Sequence, residues 1–196
     1  MRRMGSKMDE VKRMISHGGS VYSSRELVKI LGHRTAIRRL VDADELMPIG
    51  SGFYSTPVLD PAIAQVHIVA RYYRKAVISG ISALIIHRLS DEKLDKVTVD
   101  IPKETKLVNR LLDVRRVAKS RLIGITHMEY SGEPIRIYDV ERSLCDAYRI
   151  DRAALFFKAL KRYMHEYKPN PEKIAKYDKA LGTKVLPALQ QELASA

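Results

Sequence analysis

The side chains with the most obvious chemical reach are four that fall close together: Arg34, Thr35, Arg38 and Arg39. An arginine fork reads a guanine edge through two hydrogen bonds, and a threonine contacts a base or a thymine methyl. On a helix that turns 100° per residue, Ile37, Leu40 and Val41 face one way and Thr35, Arg38, Arg39 and Asp42 face the other. Arg34 sits at the flank near the helix start, where the backbone also favours a phosphate. Downstream, Gly50-Ser51-Gly52 with Tyr54 offers hydroxyls to a phosphate or a minor groove. The pattern therefore predicts a DNA-reading face at Arg34, Thr35, Arg38, Arg39, Ser51 and Tyr54. An ordinary solvated helix face is the plainer alternative.

Catalytic chemistry finds little support. There is no phosphate-binding P-loop and no glycine-rich dinucleotide fingerprint after a strand. The six histidines are scattered, without metal-ligand spacing. Gly50-Ser51-Gly52 is similar to the Gly-Ser start of nucleotidyltransferases, but the next acid is the lone Asp60. Asp91, Glu92 and Asp95 read as a solvated loop rather than a two-metal cluster. Cys145 reads as a packed small hydrophobe. The expectation is no enzymatic activity, no metal and no cofactor.

A second set of cations lies further along. Lys103–Arg121 contains Lys106, Arg110, Arg115, Arg116 and Lys119 against only Glu104 and Asp113, and Lys158–Lys184 contains Lys158, Lys161 and Arg162. Tyr163, Tyr167 and Tyr177 interleave with the latter, a composition that suits backbone contact and base stacking. These stretches predict a surface for RNA, DNA or an acidic partner, with a solvated face as the alternative. Arg142 and Asp146 are one helical turn apart and can pair as a structural unit.

The whole chain has 196 residues and a net charge of +12, which points to a polyanionic partner. The first 60 residues hold 10 Lys/Arg and 7 Asp/Glu, leaving +9 for the remainder. The hydrophobic fraction of 45% suits a packed core, and one cysteine excludes an internal disulfide framework. The apolar run Ala76–Leu89 is interrupted by Ser79, Gly80, Ser82, His87 and Arg88, too short and too polar to span a membrane. Without a signal-peptide pattern, a cytoplasmic location is expected.

The elements that position these residues can be read from periodicity. Helices are expected over Ser6–His17, from the Ser23 cap to Gly32, and over His33–Leu46, followed by a hairpin around Gly50-Ser51-Gly52. Three helices and a hairpin in this order are those of a winged helix-turn-helix, expected over residues 1–58. Pro57 and Pro61 mark a linker at about residues 56–65. Over 62–196 a mixed α/β domain is expected, with a small sheet and closing helices, so the fold class is α+β. Its helices are read at Ala62–Tyr73, Ser79–Leu89, Val140–Ile150, Ala153–Tyr167, Pro171–Leu181 and Lys184–Leu193. Lys96–Ile101 alternates as a half-buried strand, with Thr98 and Asp100 on the face away from Val97, Val99 and Ile101. Arg115–Ala118, Ile123–Tyr130 and Ile135–Tyr138 are further strands.

Four pieces carry a resemblance: Tyr22–Pro57, Val77–Leu89, the strand ending Val99-Asp100-Ile101-Pro102, and Ile137–Asp146. In their order and spacing the chain resembles the AbiEi-family antitoxins of type IV toxin–antitoxin, abortive-infection systems. The resemblance implies an N-terminal domain that represses its own operon at promoter inverted repeats. It also implies a C-terminal domain that counters a nucleotidyltransferase-like toxin without forming a stable complex with it. Two other classes stand beside this reading. One is a stand-alone winged-helix regulator whose C-terminal domain senses a small molecule, and the other is a metal-dependent nuclease using Asp91 and Glu92.

Overall fold

The structure is a computed structural model that describes Val11, Arg13, residues 20–150 and residues 152–195. The helix expected over Ser6–His17 lies outside the described residues except at Val11 and Arg13, both helical. The described residues form a mixed α/β fold of eight helices and eight strands in two sheets.

The first sheet is antiparallel, order β1-β3-β2, with β1 at Val21–Ser23, β2 at Met47–Gly50 and β3 at Phe53–Ser55. Between β1 and β2 lie α1 (Ser24–Leu31) and α2 (Arg34–Asp42). Ser23 caps α1, its Oγ accepting from the Glu26 N–H at 3.2 Å. The Glu26 side chain does not close the capping box; its carboxylate instead accepts from the Tyr72 hydroxyl. Tyr72 in turn accepts the Ser23 N–H at 3.0 Å, the bond that the third-position acid makes in a capping box. Gly32 ends α1 in the left-handed conformation that glycine adopts freely. α2 is capped by His33 and ends at Asp42, four residues short of the expected Leu46. Leu27, Leu31, Ile37, Leu40 and Leu46 fill a small core with Val11 and Tyr22.

α3 (Pro61–Tyr72) begins at an Asp60 cap inside the expected linker, which is therefore shorter than the sequence predicts. It is shared by both parts of the chain. Ala64 and Ile68 pack with Val21 and Phe53 of the first sheet, while Val66 and Val69 pack on the second. The rings of Phe53 and Tyr72 are 5.1 Å apart. The division at residues 58–62 is therefore bridged by a common core.

The second sheet has order β6-β5-β4-β8-β7. Its strands are β4 (Val77–Ile78), β5 (Val97–Pro102), β6 (Leu112–Val117), β7 (Ile125–Tyr130) and β8 (Glu133–Tyr138). β5–β6 and β4–β8 are parallel, β4–β5 and β7–β8 antiparallel. The two-residue β4 sits at the centre and reads in the sequence only as the start of an apolar run. α4 (Gly80–Ile86) follows it, and Lys119–Arg121 forms a 3-10 turn after β6. On the other side of the sheet α5 (Val140–Arg149) packs against α4 and is enclosed by α6 (Ala153–Glu166), α7 (Pro171–Leu181) and α8 (Val185–Ser195).

Asp100 corrects the half-buried reading of β5. Its face is not solvated: the side chain is 2% exposed. It accepts from Arg115 of β6, Ser79 and Tyr138, so the strand is buried on both faces at that point. No helix among the described residues is long and apolar enough to cross a membrane.

Candidate nucleic-acid interface

α2 presents its two sides as the 100° step requires. Ala36, Ile37 and Leu40 are buried, and Arg34, Thr35, Arg38, Arg39 and Asp42 are exposed. The cap fixes the helix start: His33 Nδ1 accepts from the Ala36 N–H at 3.2 Å and from the Thr35 hydroxyl at 2.6 Å. Arg38 lies 4.0 Å from Asp42, with the two side chains 84% and 66% exposed. Such a solvated pair is worth at most about 1 kcal/mol, so Arg38 is free to leave it for a stronger partner.

The hairpin stands beside this helix. Its turn holds three successive residues at positive φ, Gly50, Ser51 and Gly52. The Gly52 carbonyl accepts from the Ser24 N–H at 2.8 Å and from Ser24 Oγ at 2.9 Å. This pins the turn to the start of α1 and opens a groove of about 460 Å³ between α2 and the hairpin. Arg34, Arg38 and Tyr54 line the groove over an apolar floor of Ile37, Val41 and Pro48. Thr35, Arg39 and Ser51 are exposed but lie outside it. The sequence reading missed the apolar floor, because Val41 was assigned wholly inward; it is half-buried and faces the groove.

The cations of the second part divide into two kinds. Lys158 and Arg162 both hold Asp91, Lys161 lies 3.9 Å from Glu192, and Lys119 lies 3.8 Å from Glu104. The hydrogen bonds from Arg162 and Lys158 lower the Asp91 carboxyl to about 2. Arg152 pairs with Glu92 at 2.5 Å. The two acids of the nuclease alternative are thus committed to cations, and no cluster of metal-ligating side chains exists among the described residues. Arg115 is drawn inward to Asp100 at 2.8 Å. Lys106 and Arg110 are exposed with no ionic partner among the described residues, and Arg116 donates only to the Leu107 carbonyl at 3.1 Å.

The tyrosines expected to interleave with the second basic stretch are structural. Tyr163 donates to Glu141 at 3.0 Å and accepts the Asn170 N–H, Tyr177 donates to Asp139 at 2.6 Å, and Tyr163 and Tyr167 stack on each other. The Tyr163 and Tyr177 hydroxyls tie the acidic start of α5 to α6 and α7, and the Tyr167 hydroxyl donates to the His87 carbonyl at 3.0 Å. Burial, the largest single influence, opposes ionisation of Glu141, but the bond and charge of Lys173 together with the backbone and Tyr163 bonds hold the carboxyl below its ordinary range. Cys145 is buried, and burial pushes its thiol up to about 12, consistent with a packing role. Signals for a further cluster, Arg74 and Lys75 beside Lys106 in a cleft of about 330 Å³, were present in the run Arg71–Lys75 but were not singled out.

No protein-family model matches this chain, and a comparison with curated proteins gives no match. Among solved structures, the fold is similar to that of the RV2827C protein from Mycobacterium tuberculosis, with a TM-score of 0.60 and 15% identity. The match covers 91% of this chain and 73% of that one.

Proposed function

We propose that this protein is the antitoxin of a type IV toxin–antitoxin pair and represses its own operon by binding inverted repeats in the promoter. The residues up to 58 serve as a winged helix-turn-helix and residues 62–196 as the antitoxin part. The observation that carries the DNA-binding half is the exposed arginine face of α2 beside a pinned hairpin. The element order supports it: β1, two short helices, then a hairpin that returns to pair with β1. In this architecture α2 enters the major groove, with Arg34, Thr35, Arg38 and Arg39 towards the bases and Ser51 and Tyr54 towards the backbone. Inverted repeats imply two copies of α2 on half-sites about one helical turn apart.

The antitoxin half rests on the resemblance of Val77–Leu89, Val99–Pro102 and Ile137–Asp146 to the AbiEi family. The free cations narrow its surface to Lys106, Arg110 and Arg116. The ligand-sensing alternative finds less support. A cleft of about 430 Å³ beside the second sheet is lined by Arg71, Arg74, His127, Glu133 and Arg136 as much as by apolar groups, unlike a small-molecule pocket.

Two readouts test this. Co-expression of the full chain with a nucleotidyltransferase-like toxin encoded beside it is expected to restore growth. Lys106→Glu with Arg110→Glu is expected to lose that rescue by at least about tenfold in viable counts while operator binding stays intact. Arg38→Ala is expected to do the reverse. Rescue unaffected by the charge reversals sinks the surface assignment, and no rescue by the parent chain sinks the antitoxin reading.

A further inference from the structure

Beneath α5 lies a pocket of about 180 Å³ that none of the foregoing roles uses. Arg115 on β6, Arg121 on the 3-10 turn, and Arg142 and Arg149 on α5 converge there with Asp100 and Asp146. On α5 the spacing 142, 146, 149 keeps all three side chains on one face.

The inner four groups neutralise one another. Asp100 accepts from Arg115 Nε at 2.8 Å, from Ser79 Oγ at 2.8 Å and from the Tyr138 hydroxyl at 3.0 Å. Asp146 lies 2.6 Å from Arg142 and 3.5 Å from Arg115. Arg142 is 1% exposed, its guanidinium 4.2 Å from the centre of the Tyr138 ring, and its Nε has no hydrogen-bond partner. It also donates to the Arg121 carbonyl at 3.4 Å, holding the turn that carries Arg121. Arg121 and Arg149 stand exposed at the rim with no ionic partner among the described residues. Two arginines are thus in surplus at the mouth of a pocket whose carboxylates are already charge-paired, with Asp146 Oδ2 left without a hydrogen-bond partner.

We infer that this pocket binds a phosphoryl group, held at the rim by Arg121 and Arg149 and backed by the outer edge of Arg115. Arginine forks match phosphate oxygens in pairs, and here they converge from two elements. The volume corresponds to about six water molecules, room for a phosphoryl group and its sugar. It falls below the ~300 Å³ at which pockets begin to enclose a whole drug-sized ligand. Buried ion pairs seldom add stability over apolar packing, so a fold that keeps two of them under one helix keeps the pocket's shape and charge with them. The inference is independent of operator recognition, since it uses no residue of α2 or the hairpin.

The test is calorimetric titration of the full chain with inorganic phosphate at constant ionic strength, followed by competition. One saturable site is expected. Arg121→Ala with Arg149→Ala is expected to weaken it at least tenfold without shifting the unfolding midpoint. Lys93→Ala with Lys96→Ala, which removes the same charge from exposed positions elsewhere, is expected to leave it unchanged. Displacement by a nucleoside 5′-monophosphate but not by hydroxyl-ended RNA identifies a terminal phosphate as the source; the reverse identifies the RNA backbone. Absence of saturation, or equal weakening in both double variants, overturns the site. So does a rim variant that lowers stability but leaves phosphate binding unchanged, since the arginines would then serve only the helix end.

Discussion

Single side chains in this protein owe their behaviour to what covers them. His87 donates through Nε2 to the Tyr138 carbonyl at 2.8 Å, and burial lowers its pKa. His67 is lowered for the same reason. A histidine held neutral in the folded state contributes stability that is present above its unfolded pKa of about 6.5 and is lost as pH falls through the lower folded value. Stability is therefore expected to fall from pH 7 to pH 5. His87→Gln keeps a donor near Tyr138 and removes one titration, so its denaturation midpoint should change less over that interval. A midpoint that falls just as steeply would exclude His87 from the effect. Arg142 and Asp146 were legible as a pair because helical spacing alone brings them together. Their link through Arg115 to Asp100 was not, since it depends on the pairing of β5 with β6, which no local pattern records. The tyrosines of Lys158–Lys184 show the converse: composition suggested stacking platforms, and tertiary contacts had already used them.

At the scale of elements, helices were the most legible, because caps and apolar spacing are local. Ser23, Asp60, Asp139 and Asn170 each cap a helix that the sequence predicts. β4 was not legible: two residues carry no period, and its place in the sheet is set by partners about 20 and 60 residues away in sequence. The helix at α3 was legible but its role was not: its C-terminal turn fastens the first sheet to the second. Tyr72 is the fastener. Its hydroxyl meets Glu26, the Ser23 N–H and the Val21 carbonyl, and burial with the Glu26 bonds pushes its pKa up to about 12. Tyr72→Phe leaves the Ser23 N–H without its acceptor, a loss of about 1–3 kcal/mol. Amide exchange should quicken over Val21–Ser23 first. Unchanged exchange there would show that α1 and β1 are held by their own core alone.

For the molecule as a whole, net charge is a poor guide to where the proposed partners would bind. The part with the proposed DNA-reading face carries +3, and the remainder carries +9. Much of that second charge is committed within the fold, to Asp91, Asp100, Asp146 and Glu192. Among the described residues, the cations left without an ion pair include Lys106, Arg110 and Arg116, and the rim pair Arg121 and Arg149. Because α3 belongs to both cores, point variants of the full chain separate the two roles better than a cut at residue 62. The central claim is that the outer face of α2 reads base sequence. Its most direct measurement is the affinity of the parent, Thr35→Ala, Arg38→Ala and Arg39→Ala for the chain's own promoter repeats and for random duplex, at one fixed salt concentration. The account predicts that Arg38→Ala costs about 1–3 kcal/mol on the repeats and markedly less on random duplex. Equal losses on both duplexes for all three variants would contradict it.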